Sequence, residues 1–287
     1  MLGVSVWMFL ASSAQTIQSE IERFVIGRIG SLSILGFYSV SRDLSSIFTH
    51  EIATALNRVT FVTTARTGKN LGSAPGPLRA MLGGYALIAA PLGLGLAAIS
   101  ASAVDLLLGK QWGQAAPFLE FIAPAAALHA VFKLIISNFQ ASGKAKFAAM
   151  LSIAAATLIA CAIGVAILLG GGPLDVAAAA MISGAAVLVA GIVILAWEEK
   201  VGLVGLLSAA GRPFLAALVM FAVLVGLDAG SMLGIVPVLT SATLGAAIYF
   251  VAVWLFWQIS GRPDGAEASI FSILIGAWKR LRMKAWQ

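Results

Sequence analysis

The amino-acid sequence predicts an all-α fold, a polytopic membrane helix bundle, and three observations carry that expectation. Hydrophobic residues make up 60% of the 287-residue chain and charged residues 10%, with a mean hydropathy of +1.00, which lies far from the composition of a soluble globular domain. The apolar residues, chiefly Leu, Ala, Gly and Val, arrive in repeated blocks close to the ~20 residues that a spanning helix needs. No period-2 alternation runs through them, which disfavours a β-barrel.

Glycine and proline punctuation divides the chain into eight expected spans, at 2–29, 33–66, 77–104, 116–141, 146–170, 174–197, 210–228 and 232–257. Gly30 closes the first, and the stretch KNLGSAPGP from Lys69 to Pro77 follows the second. The turn from Gly109 to Gly113, then Gly143, then Gly170-Gly171-Gly172-Pro173, then Gly230 separate the others. The third span and the fifth to eighth are apolar and rich in small residues, which let membrane helices approach closely. Pro91 and Pro237 are expected to bend their helices in mid-span, and Pro124 to kink the fourth. A last segment, 268–285, is too basic to span. Its Ile270, Leu274, Trp278 and Leu281 share one helical face while Lys279, Arg280, Arg282 and Lys284 supply charge, so an interfacial helix on anionic headgroups is expected.

The net charge of +6 belongs to topology. Basic residues are scattered between apolar segments instead of gathering on a soluble face, so nucleic acid is not an expected partner. With the first residue inside, Arg66, Lys69, Arg79, Lys144, Lys146, Lys200, Arg212, Arg262 and the tail cations fall on one side, and only Arg28 and Lys110 on the other. The positive-inside rule then places the N-terminus and C-terminus both in the cytoplasm. Met1 to Leu10 lacks the charged start and cleavage site of a signal peptide and reads as entry into a helix. Cys161 is the single cysteine, which excludes disulfides within the chain and cysteine metal clusters.

Residues 12–60 resist explanation by lipid burial alone. At 100° per residue, Ser12, Ser13, Gln15, Thr16, Ser19, Glu20, Glu22 and Arg23 occupy one half of the first helix. Ser39, Asp43, Ser46, His50, Glu51, Thr54, Asn57 and Arg58 fall within a similar arc of the second, with Arg42 to one side. A charge near the middle of a spanning helix costs ~2.5 to 3.5 kcal/mol on insertion scales. Two such stripes predict a wet cavity. The plain alternative is a set of internal ion pairs, Glu20 with Arg23 being i to i+3, that fixes helix register. On the fourth helix His129, Lys133, Ser137 and Gln140 share a narrow arc, although Lys133 can equally snorkel to the surface.

Motifs for catalysis are missing: no HExxH, GxSxG, P-loop or dinucleotide fingerprint occurs, and His50 and His129 lie on different helices. The chain is therefore not expected to be an enzyme, and no metal or other cofactor is expected.

Several ordered patterns between Gly3 and Lys144 resemble the second half of a bacterial polysaccharide flippase of the multidrug/oligosaccharidyl-lipid/polysaccharide exporter superfamily. IERFVIGRIGSLSILGFYSVSRDL, from Ile21 to Leu44, is similar to the family's acidic-residue, apolar, Gly-Arg, Leu-Gly, Gly-x-Tyr run. Arg58-Val59-Thr60-Phe61 before a polar loop, Pro91 in the next helix, Leu107-Leu108-Gly109-Lys110-Gln111-Trp112 and Ala141-Ser142-Gly143-Lys144 follow in the family's order. Glu22 stands where the family usually has Asp, and Val62 where it usually has Pro.

The resemblance implies a two-lobe transporter of which this chain supplies the second lobe plus two appended helices. The implied division is 1–197 for a six-helix C-terminal transporter lobe, 198–257 for the two appended transmembrane helices, and 258–287 for a basic amphipathic cytoplasmic tail. It also implies a fragment that lacks the first lobe, set in the bacterial inner (plasma) membrane. The implied function is translocation of polyprenyl-pyrophosphate-linked oligosaccharide for polysaccharide export, of the lipopolysaccharide or exopolysaccharide kind.

Arg23, Arg42, Arg58 and Lys133 are then the candidates for substrate binding, since a lipid pyrophosphate seeks cations in a dehydrated cavity. Glu22, Asp43, His50 and Glu51 are candidates for charge pairing or ion coupling. Implied partners are the lipid bilayer, the lipid-linked oligosaccharide, the missing N-terminal lobe, and a polysaccharide polymerase or glycosyltransferases. A multidrug or organic-cation antiporter of the same superfamily, for which cavity arginines would be unwelcome, and a non-transporting membrane scaffold for polysaccharide synthesis stay open. In the isolated chain the polar faces of the first two helices are expected to line an open groove.

Overall fold

A computed structural model describes residues 2–47, 75–230 and 234–261. Among them are nine α-helices, one short 3-10 helix and no strand. The helices are α1 (Leu2–Ile29), α2 (32–47), α3 (Pro75–Ala98), α4 (Ser100–Leu108), α5 (Ala116–Ala141), α6 (Ala145–Leu168), α7 (Pro173–Glu198), α8 (Leu203–Gly226) and α9 (Ile235–Ile259), with the 3-10 turn Lys110–Ala115 leading into α5. The fold is a polytopic helical membrane bundle. Among the described residues six spans are long and apolar enough to cross a membrane: Leu78–Ala98, Lys110–Ala141, Ala145–Leu168, Pro173–Glu198, Leu203–Gly226 and Ile235–Ile259. The other two expected spans are α1, whose 28 residues include Glu20, Glu22, Arg23 and Arg28, and α2, whose expected second half lies outside the described residues.

Small residues determine how the helices meet. α3 packs on both α5 and α8, α1 on α6, α5 on α7, and α8 on α9. At the α3–α5 crossing a Cβ on Gly93 would stand 2.6 Å from the Ala123 carbonyl oxygen and 2.7 Å from the Ala127 Cβ, so only glycine admits this approach. The main core joins α1, α2, α3, α5, α6 and α7 through Ile26, Tyr38, Leu82, Phe132, Ile135, Ile163 and Leu195. A second core, with Leu94, Met220, Leu224, Tyr249 and Val253, holds α8 and α9 against α3, where the Tyr249 hydroxyl donates to the Leu87 carbonyl at 2.8 Å.

Contacts at the two ends of the bundle agree with alternate crossing. The Trp7 ring near the start of α1 lies under Lys146 in the first turn of α6, 5.9 Å from its Nζ. At the same end Lys144 Nζ sits 3.0 Å from both Glu198 Oε1 and Glu199 Oε1, tying the α5–α6 turn to the end of α7. At the opposite end Ser102 donates to the carbonyls of Ala229 and Gly230, beyond α8. The Ala-Ser-Gly-Lys turn closes α5 with Lys144 N–H to the Phe139 carbonyl and Gly143 N–H to the Gln140 carbonyl, at Gly143 φ +74°. That is a Schellman closure, and glycine supplies the left-handed residue it requires.

Three local expectations change. The span expected at 77–104 is two helices, because Ile99 (φ −111°, ψ 21°) leaves helical geometry and Ser100 restarts the chain as α4. The span expected at 210–228 begins at Leu203, so Arg212, counted among the connecting residues, lies well within α8. Pro237 falls in the first turn of α9, where a missing N–H leaves no helical bond unmade, so it does not bend a mid-span. The tail at 262–287, where an interfacial helix was expected, lies outside the described residues.

Candidate functional site

The polar stripes of α1, α2 and α5 converge. They enclose a cavity of about 310 Å³ that is backed by α6 and α7. Its polar wall carries Gln18 and Glu22 from α1, Tyr38 and Arg42 from α2, and His129 and Lys133 from α5. Its rear is apolar and small, with Ile159, Ala177, Ala180, Gly184 and Val187. Each polar pair is spaced i to i+4, which puts both members on one face of their helix.

The α2 face is set by aromatic packing. Phe37 meets Trp112 edge-on at 5.8 Å, and Tyr38 meets Phe118 edge-on at 6.0 Å. Ser41, fully buried, donates to the Ala115 carbonyl at 2.7 Å. These contacts dock α2 on the 3-10 turn and the start of α5. Trp112 of the Leu-Gly-x-x-Trp turn thus positions the helix that bears Arg42. With α2 so held, the buried Tyr38 hydroxyl donates to Glu22 Oε2 at 2.8 Å. Beside them the Gln18 amide nitrogen donates to His129 Nδ1 at 3.3 Å, joining α1 to α5.

Charges divide between the cavity and the outer face of α1 and α2. Glu20 is the shared counter-ion: its Oε2 lies 3.8 Å from Arg23 Nη1 and its Oε1 lies 3.5 Å from Arg42 Nη2. Arg23 also donates to Ser39 Oγ from Nε and Nη2, at 3.4 and 3.2 Å. Arg42 is only 28% exposed and its Nη1 is buried with no hydrogen-bond partner among the described residues. Lys133 is exposed in the cavity mouth and forms no ion pair among the described residues. Two cations therefore face the cavity with bonding capacity to spare.

Of the residues singled out in the sequence, Arg42, Lys133 and Glu22 come together around this space. Arg23 and the exposed Asp43 do not line it. Arg58, His50 and Glu51 lie outside the described residues. The pairing expected between the arginines and Glu22 falls instead to Glu20, because Glu22 turns inward to Tyr38 while Glu20, about 160° away around α1, faces the arginines. Gln18 and Tyr38 are absent from the expected polar arcs. Their signal is the i to i+4 spacing to Glu22 and Arg42.

Comparison with known proteins gives this geometry a setting. Residues 1–117 match the family model described as polysaccharide biosynthesis protein, a span that contains Gln18, Glu22, Tyr38 and Arg42. A solved structure of the lipid II flippase MurJ in an inward closed conformation superposes with a TM-score of 0.62 at 15% sequence identity, over 88% of this chain and 53% of that one. The chain is thus similar to a polysaccharide biosynthesis family over its first 117 residues and to a lipid II flippase in its bundle architecture. At that identity the second likeness is one of fold, and the chain spans about half the length of the solved flippase. No curated protein matches it. The superfamily resemblance read from the Ile21–Leu44 run thus meets a family match over the same helices and a shared bundle architecture.

Proposed function

We propose that this chain is the C-terminal lobe of a flippase that carries a polyprenyl-pyrophosphate-linked oligosaccharide across a bacterial inner membrane. The observation that supports it most is the pair of cations, Arg42 and Lys133, facing a cavity whose rear wall is apolar. A pyrophosphate group is anionic and planar-fork recognition by arginine is strong in a poorly hydrated site. The apolar rear suits the lipid side of the same ligand. Glu22 accepts from Tyr38, and the ion pair to Arg42 comes from Glu20 at the outer face. An organic-cation antiporter would favour the reverse, free carboxylates and no spare arginine.

In this proposal residues 1–197 form the transporter lobe, 198–257 add two spans and 258–287 form a cytoplasmic tail, with both termini in the cytoplasm. The cavity faces a first lobe, and the chain acts as a carrier and not as a catalyst. Arg58 belongs to the same anion path further along the second expected span.

The test is complementation. In a strain that lacks its own flippase, the transporter carrying Arg42→Ala should fail to restore polymer export while its membrane abundance stays at the unmutated level. Normal export by the variant would overturn the assignment.

A further inference from the structure

The polar wall holds more than cations. Gln18 is 5% exposed, its side-chain oxygen is buried, and that oxygen has no hydrogen-bond partner among the described residues. An unmet buried amide group costs about 1–3 kcal/mol, so a native site retains one where something else supplies the bond. Its amide nitrogen is committed to His129 Nδ1, which places the imidazole hydrogen on Nε2. No protein partner for Nε2 occurs among the described residues. Between them, Gln18 and His129 offer one open acceptor and one open donor to the cavity they line.

That combination suits a group that donates and accepts at once. Exchanging the amide oxygen and nitrogen of Gln18 would reverse the two roles but would still leave one donor and one acceptor open. A phosphate offers acceptors alone and an ammonium donors alone, whereas a sugar hydroxyl is both at once. Gln18 lies one helical turn from Glu22 and His129 one turn from Lys133, and all four line the same cavity as Arg42, so the pair sits beside the two cations.

We propose that Gln18 and His129 form a hydroxyl-reading subsite that selects the first sugar of the lipid-linked glycan, beside the anion subsite of Arg42 and Lys133. The subsite rests on the flippase reading above and refines it. Arg42 and Lys133 hold the pyrophosphate that every such lipid shares. Gln18 and His129 then discriminate what is attached to it, because an absent hydroxyl leaves both groups desolvated and unpaired.

The experiment compares two probes on the full chain in lipid nanodiscs: polyprenyl pyrophosphate, and the same lipid bearing one hexose. Native mass spectrometry reads the ratio of their affinities. The unmutated chain should prefer the hexose-bearing lipid, and Gln18→Ala should cut that preference about ten-fold, the scale of one or two neutral hydrogen bonds. Arg42→Ala with Lys133→Ala should weaken both probes and leave the ratio alone. His129→Ala approaches the pair from the other helix and should give the same fall in ratio if Gln18→Ala does not fold. An unchanged ratio in the Gln18 or His129 variant overturns the subsite while the flippase reading survives. An unmutated chain that binds both probes equally does the same, and one that binds neither overturns both.

Discussion

The Tyr38 hydroxyl donates to Glu22 Oε2 at 2.8 Å, and these are the tyrosine and the acidic residue of a single sequence run. The bond fastens α2 to α1 across the cavity wall, so that Arg42, one turn beyond Tyr38, is aimed inward. Tyr38→Phe should destabilise the purified protein by about 1–3 kcal/mol, the cost of leaving a desolvated carboxylate oxygen unpaired. A thermal double-mutant cycle with Glu22→Gln measures it. Additive effects of the two substitutions would show that the bond does not hold the helices.

Glu20 restrains Arg42 from outside the cavity at 3.5 Å. Glu20→Gln should free the guanidinium and leave the affinity for polyprenyl pyrophosphate undiminished, or raise it a few-fold. Exchanging the pair as Glu20→Arg with Arg23→Glu should instead weaken binding, because it sets a like charge beside Arg42. A membrane scaffold held by ion pairs predicts the opposite for the exchange: full retention of function. Isothermal titration of the two variants separates these accounts.

Gly93 and Gly164 make a matched pair of substitutions. A Cβ at Gly93 would clash with the α5 backbone at Ala123, whereas one at Gly164 meets nothing within 4 Å. Gly93→Ala should cost about 1–3 kcal/mol by forcing α3 and α5 apart. Gly164→Ala should stabilise by about 0.5–1 kcal/mol through helix propensity. Thermal unfolding in detergent reads both, and equal effects would refute the packing described for α3 and α5.

At the bundle end, burial alone would lower the Lys144 pKa, but its hydrogen bonds to Glu199 and Glu198 outweigh burial and raise it above the ordinary lysine value of 10.5. A cation whose folded pKa is raised contributes stability that is fully present below its unfolded value and fades as pH climbs through the folded one. Melting temperature should therefore fall as pH rises above 10.5, and Lys144→Met should flatten that fall. A variant with the same alkaline profile as the unmutated protein would contradict the ion-pair role.

The all-α fold and the ends of α1, α5, α6, α7 and α9 are legible in the sequence because lipid enforces apolar length and glycine marks the turns. The stripe of His129, Lys133 and Ser137 is legible for the same reason: α5 is regular and its period is fixed. The facing of α2 is not. Asp43 and Arg42 are neighbours in sequence, and periodicity alone centres the wet arc on Asp43. The structure turns Arg42 inward because Phe37 and Tyr38 dock on Trp112 and Phe118, contacts between residues more than seventy positions apart that no local pattern encodes. The break at Ile99 escapes a local reading likewise, since no glycine or proline marks it in the sequence.

Arg42 and Lys133 are assigned here to the anionic head of a lipid, and the function proposed for the chain stands on that assignment. Its most direct test is the affinity of the full chain for polyprenyl pyrophosphate in nanodiscs, measured with and without Arg42→Ala and Lys133→Ala together. The double variant should lose at least about ten-fold in affinity, the scale of one charge-assisted bond, with no change in melting temperature. Equal affinity in the unmutated and doubly substituted proteins would contradict it.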